Sequence, residues 1–188
     1  MQRQLVERAI AGDHDAFSVL VRAAYPRLHG VARLILRDPE RAQDAVQEAL
    51  VRAWRHVRAL RDPDAWDAWL HRLTVNACYR WASKVKRRAE VELHVMPDLE
   101  PASSNDFVAK VAERDRMGRA IGRLPIDVRA VIVLHFYADL PLTQVADVLE
   151  IPVGTAKSRL NRGLESMRTF IAAEQPVPPV ARVGEQTA

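Results

Sequence analysis

Residues 142 to 173 carry two helical apolar stripes broken by one proline, which permits little except two short helices meeting at a turn. Leu142, Val145, Ala146 and Leu149 recur at i, i+3, i+4 and i+7, the spacing that lines one helix face. Pro152 ends that helix, because proline disfavours helical geometry in the residue before it. A second stripe follows at once: Val153, Ala156, Leu160, Leu164 and Met167. At 3.6 residues per turn, the opposite face carries Gly154, Lys157, Ser158, Asn161 and Arg162, with Thr155 and Arg159 toward its flank. Small, polar and basic residues of this kind can enter a major groove and bond to base edges and phosphates. The pattern predicts a helix-turn-helix aimed at DNA; the alternative is an amphipathic pair whose charges simply sit in water.

Helical spacing dominates the rest of the chain, and no stretch alternates polar and apolar over strand length. The expected class is all-α. Helices are predicted over 2–11, 13–36, 39–57 and 63–88, then over 107–123, 126–137, 142–150 and 153–173. Asp38-Pro39 and Asp62-Pro63 are strong starts, each an N-cap residue followed by proline at the first helical position. Pro97, Pro101 and the run Ser103-Ser104-Asn105 read as an extended connector. The proline spacing of the tail opposes a helix. Two small helical domains follow, 1–90 and 107–173, with a flexible acidic linker at 91–106 and a disordered tail at 174–188.

Charge is distributed the same way. The net charge of +4 conceals 17 basic and 11 acidic side chains in residues 1–90, and four acidic with no basic ones in 91–107. Two basic blocks flanking an acidic connector suggest two polyanion-binding modules. Fully extended, the connector reaches up to roughly 56 Å, beyond the ~34 Å of one DNA turn, so two modules could address two sites on one duplex face.

Two helix faces single themselves out. In the third helix Ala42, Val46, Ala49, Leu50, Ala53 and Val57 should face the core, leaving Asp44, Gln47, Glu48, Val51 and Arg55 outside. An apolar Val51 among acidic and amide residues suits protein docking; a plain solvated face is the alternative. In the fourth helix Trp66, Leu70, Leu73, Ala77 and Trp81 form the buried stripe. The other face gathers Arg72, Asn76, Tyr79, Arg80, Ser83, Lys86 and Arg87, with Lys84 alongside and the Arg61-Asp62 loop at its N-terminal end. Cations can hold phosphates there, Asn76 can bond a base edge, and Tyr79 can stack on an unpaired base, although simple packing of Tyr79 is equally consistent.

Other chemistry finds little support. Six histidines lack metal-ligand spacing, no phosphate loop or nucleophile motif shows, and the single Cys78 cannot form an internal disulfide. Neither a signal peptide nor a run of about 18 apolar residues is visible, so no membrane insertion is expected.

The order of these motifs resembles the extracytoplasmic-function (ECF) sigma factors of bacterial RNA polymerase, sigma-70 class. AQDAVQEALVRAWRH resembles their polymerase-docking segment, WDAWLHRLTVNACYRWASKVKRR the segment that opens and reads the minus-ten element, and LPLTQVADVLEIPVGTAKSRLNRGLESMR the helix-turn-helix that reads the minus-thirty-five element. The resemblance implies an initiation factor partnered by core RNA polymerase, promoter DNA and an anti-sigma factor. It implies a cytoplasmic location, with no cofactor, metal or small-molecule substrate. Polymerase docking would fall to Asp44, Gln47, Glu48, Val51 and Arg55. Minus-ten DNA would fall to Arg61, Asp62, Arg72, Asn76, Tyr79, Arg80, Lys84 and Arg87, and minus-thirty-five DNA to Gly154, Thr155, Lys157, Ser158, Arg159, Asn161 and Arg162. The linker would pass through the polymerase cleft in place of RNA, or act as a plain tether. Four residues depart from the family pattern. Glu150 stands where glycine is usual in the turn, and a left-handed backbone there costs roughly 1 kcal/mol. Arg80 stands where an acidic residue is common, and Ser83 where arginine is common. Gly163, usually alanine, should weaken its helix slightly. The rival readings are a polymerase-independent helix-turn-helix regulator and an enzyme; the Asp44/Gln47/Glu48 face and the basic fourth helix count against the first.

Overall fold

The computed structural model describes residues 1–91 and 116–174, with side chains in the fourth helix up to residue 85. The expected linker beyond Val91, the start of the fifth helix, the tail beyond Glu174 and the side chain of Arg87 lie outside the described residues. Among the described residues the chain is all-helical: α1 Gln2–Ile10, α2 His14–Leu36, α3 Pro39–His56, α4 Trp66–Val91, α5 116–122, α6 Ile126–Ile132, α7 Leu142–Leu149 and α8 Val153–Ala173. The helix starts are set chemically. The Asp13 carboxylate accepts from the amides of Asp15 and Ala16, and Asp38 accepts from Arg41 N, with proline next in line. Asp62 accepts from Asp64 N, and a 3-10 turn at Pro63–Ala65 leads into α4. The α6 helix continues as a π turn over Val133–Tyr137. Glu150 is left-handed (φ 54°), as its place in the turn requires, and its amide reaches back to Ala146 and Asp147 carbonyls.

The N-terminal unit, α1 to α4, closes over Val6, Leu20, Leu28, Ile35, Val46, Trp66 and Leu70. In the C-terminal unit α5, α6 and α8 bury Ala120, Leu124, Val128, Ile132 and Met167. Gly163 is what lets α6 and α8 approach. A β-carbon there would lie 2.9 Å from Val128 Cγ1, so its part is in packing, beyond the small loss of helix propensity expected from sequence.

The two units pack against each other, an arrangement that two modules on a tether do not require. Ala130, Val131, Val133, Leu134, Ala138, Val145 and Val148 of the C-terminal unit belong to the same core cluster as α2 and α4. Polar contacts frame this seam. Arg129 Nη1 donates to Ile35 O at 2.5 Å, while its Nε and Nη2 hold the carbonyls of Ile121, Gly122 and Leu124. Arg27 donates to the carbonyl of Ala138, and Arg72 Nη1 lies 3.3 Å from Glu150 Oε1.

Candidate polymerase and nucleic-acid interfaces

On α3 the sequence-derived face is real. Ala42, Val46, Ala49, Ala53 and Val57 are buried, Leu50 is half-buried, and Asp44, Gln47, Val51 and Arg55 are exposed. Val51 keeps 48% of its surface open to solvent. Glu48 is less free than its neighbours, because Arg80 of α4 donates to its Oε1 at 3.1 Å. Trp54 was missed by the sequence reasoning, yet it is 40% exposed beside Val51 and packs its other side on His14 and Phe17. Its place three residues after Val51 was the available signal.

The second face, on α8, is open. Gly154, Lys157, Ser158, Asn161 and Arg162 are exposed, and nothing lies within 4 Å of where a side chain at Gly154 would begin. Thr155 is half-buried and accepts from Ser158 Oγ through its carbonyl at 3.0 Å. Arg159 is half-buried and pairs with Asp127 of α6 at 3.2 Å, a link between α8 and α6 that the sequence reading did not include. Val153, expected in the buried stripe, is 46% exposed because α8 has barely begun there and no helix covers its first turn.

The third face, on α4, is divided. Trp66, Leu70 and Ala77 are buried as expected, Leu73 and Trp81 half-buried, but His71, Thr74, Val75 and Cys78 are buried too. A helix covered on more than one side has several neighbours, and here α2 and α3 of its own unit are joined by α7 of the other. Arg61, Asp62 and Lys84 remain exposed, the last with its ammonium 4.8 Å from the Trp81 ring. Arg72, Asn76, Tyr79 and Arg80 are half-buried. Burial pushes the Tyr79 phenol up to about 12; Arg159 opposes that rise and Asp127 adds to it, and both belong to the C-terminal unit. Arg80 is taken up by Glu48 and Arg72 by Glu150. Thus the residues expected to read one DNA element are partly covered by the module expected to read the other.

Residues 20–88 match the family described as Sigma-70 region 2, and residues 114–167 the family described as Sigma-70, region 4. In that order they define the sigma-70 class. The ECF RNA polymerase sigma factor SigM of Mycobacterium tuberculosis is 35% identical over 159 residues, spanning 85% of this chain and 79% of that one. The ECF RNA polymerase sigma-E factor of Escherichia coli K12 is 32% identical over 175 residues, spanning 87% and 90%. CnrH, solved in complex with the cytosolic domain of CnrY, superposes with a TM-score of 0.68 at 26% identity and covers 93% of this chain and 99% of its own. The sigma factor RpoE of Bartonella quintana, solved in complex with the anti-sigma factor NepR, gives 0.69 at 21% identity over 85% and 98%, a likeness of fold. The chain belongs to the extracytoplasmic-function RNA polymerase sigma factors.

Proposed function

We propose that this chain joins core RNA polymerase through α3, reads the minus-thirty-five element with α8, and reads and opens the minus-ten element with α4. The observation that carries the reading is the pair of open faces in one sigma-70 chain: Asp44, Gln47 and Val51 on α3, and Lys157, Ser158, Asn161 and Arg162 on α8. The first is acidic and apolar and suits protein; the second is basic and small and suits a groove. The α4 contribution requires the C-terminal unit to leave Arg72 and Tyr79, so promoter engagement is coupled to opening of the seam. Melting then needs no covalent step and no cofactor. Unstacking a base costs a few kcal/mol, and contacts to the extruded base offset it.

Two further readings rest on the relatives. Both solved neighbours are held by a second protein, and an anti-sigma factor is proposed for this chain as well. A cytoplasmic location is proposed with it; no helix among the described residues is long and apolar enough to cross a membrane. Run-off transcription with core polymerase, followed by mapping of the start sites, tests the whole reading. Promoter-specific starts that appear only when the chain is added are expected. Specific binding by the isolated chain, tighter than by its polymerase complex, would favour the polymerase-independent regulator instead.

A further inference from the structure

A cleft of about 490 Å³ opens along the seam, walled by Gly30, Arg33, Leu34 and Arg37 from the N-terminal unit and by Arg119 and Tyr137 from the C-terminal unit. No carboxylate among the described residues lines it. Arg119 is paired with Glu174 at 3.1 Å, but neither Arg33 nor Arg37 has a carboxylate partner among the described residues. Arg129 lies just behind, its fork spent on four carbonyls and on no anion. Its guanidinium is pushed down to about 10, first by burial and then by repulsion from Arg37. Docking therefore sets Arg37 against Arg129 across the seam, and no carboxylate lining the cleft among the described residues offsets Arg33 and Arg37.

We propose that this cleft binds a small molecule carrying two or more phosphate groups, which bridges Arg33 and Arg37 to Arg119 and holds the two units docked. Guanidinium forks match phosphate oxygens in two-point hydrogen bonds, and the Tyr137 hydroxyl, seated against Gly30, adds a donor. The volume falls within the range usual for small-ligand sites and exceeds what an inorganic diphosphate alone would fill. A DNA backbone offers the same chemistry, but the cleft is complete only when docking covers Arg72 and Tyr79, the form least able to read a promoter. The site thus couples a phosphorylated small molecule to the closed arrangement, which goes beyond the promoter-directing role.

The test uses the full chain without polymerase, so its result is separable from the promoter reading. Tripolyphosphate is titrated at fixed ionic strength, with sulfate as control, while dyes on Asp15→Cys and Ser166→Cys report the distance between units. Saturable binding with a shortened distance is expected, weakened at least about tenfold in the doubly substituted R33A/R37A chain through loss of two charge-assisted contacts. Both arginines are exposed, so that variant should keep its fold, and circular dichroism checks this. Equal binding by R33A/R37A, or an equal response to sulfate, would overturn the proposal. A non-promoter duplex that displaced tripolyphosphate from Arg33 and Arg37 while the units stayed docked would assign the site to backbone phosphates and overturn it too.

Discussion

The phenol of Tyr137 fills the space that a side chain at Gly30 would need. Gly30 lies inside α2 and Tyr137 ends the π turn of the other unit, so this contact joins residues over a hundred positions apart. Substituting Gly30 by alanine separates two effects of opposite sign. Within α2 alone the change should favour the helix by up to ~1 kcal/mol. At the seam it should expel the Tyr137 ring and weaken docking. The expected outcome is an increased radius of gyration by small-angle scattering with undiminished helical circular dichroism. An unchanged radius would show that the wedge does not hold the units together. The Arg72–Glu150 pair is a poorer candidate for that role, because both side chains are substantially exposed and such pairs are worth ~0–1 kcal/mol.

Docking to polymerase should depend on Asp44 more cleanly than on Glu48. Asp44 is exposed, whereas Glu48 is held by Arg80 and lies 3.9 Å from Arg52. Asp44→Lys should abolish pull-down of core polymerase while thermal stability stays near that of the parent. Glu48→Lys should lose docking and also lower the melting temperature, since it places a cation against Arg80. Normal association by Asp44→Lys would remove α3 from the interface.

Much of this was legible in the sequence because helix periodicity and capping are local. Asp38-Pro39 marked the start of α3, Pro152 separated α7 from α8, and Glu150 took the left-handed turn its position called for. Docking of the units was not legible, since it arises between elements far apart in the chain. Hints existed: Val128, Val131, Ile132 and Leu134 place apolar residues around more than one side of α6, and such a helix is buried on both sides. Thr74, Val75 and Cys78 extend the buried part of α4 beyond one stripe in the same way. The Arg159–Asp127 pair was not legible for a related reason, because Asp127 sits on a helix that periodicity alone cannot position.

On α8, Arg162 and Arg159 should behave differently. Arg162 is exposed on the open face, and Arg162→Ala should cost about 1–3 kcal/mol of promoter affinity and relax preference at one base pair. Arg159→Ala removes the brace to Asp127 and should weaken all sequences alike, with a lowered melting temperature. Binding measured on a panel of single-base promoter variants distinguishes the two; an identical uniform loss would show that Arg162 reads no base.

Acid should loosen the N-terminal unit through His71. Its Nδ1 donates to Asp67 O at 2.7 Å, which leaves Nε2 as an acceptor with no partner among the described residues. Burial, with a smaller push from Arg27, holds the imidazole below its ordinary value of 6.5. The folded chain therefore refuses a proton that the unfolded chain accepts, and stability falls as pH drops below the unfolded value. Melting temperature should decline more steeply from about pH 7 to about pH 5.5 in the parent than in His71→Gln, which cannot titrate. Parallel declines would assign the acid sensitivity to other groups.

Asn76 offers the sharpest test of strand reading. It is half-buried on α4 between Arg72 and Tyr79, and its amide can both donate to and accept from the edge of an extruded base. Its neighbour Arg72 is engaged by Glu150 across the seam while the units are docked, so Asn76 should act only after the seam has opened; the Arg80–Glu48 pair lies within the N-terminal unit. Asn76→Ala changes neither the exposed residues of α3 nor those of α8. It should leave polymerase binding and the closed promoter complex nearly intact, yet slow melting of a duplex promoter. A promoter carrying a pre-opened bubble should partly rescue transcription, because the unpairing cost has already been met. Permanganate footprinting reads this directly: thymines in the melted region should react less with the mutant holoenzyme than with the parent. If instead the two complexes reacted equally, Asn76 would be a surface residue of α4, and strand capture would have to lie with Arg61, Lys84 and their neighbours.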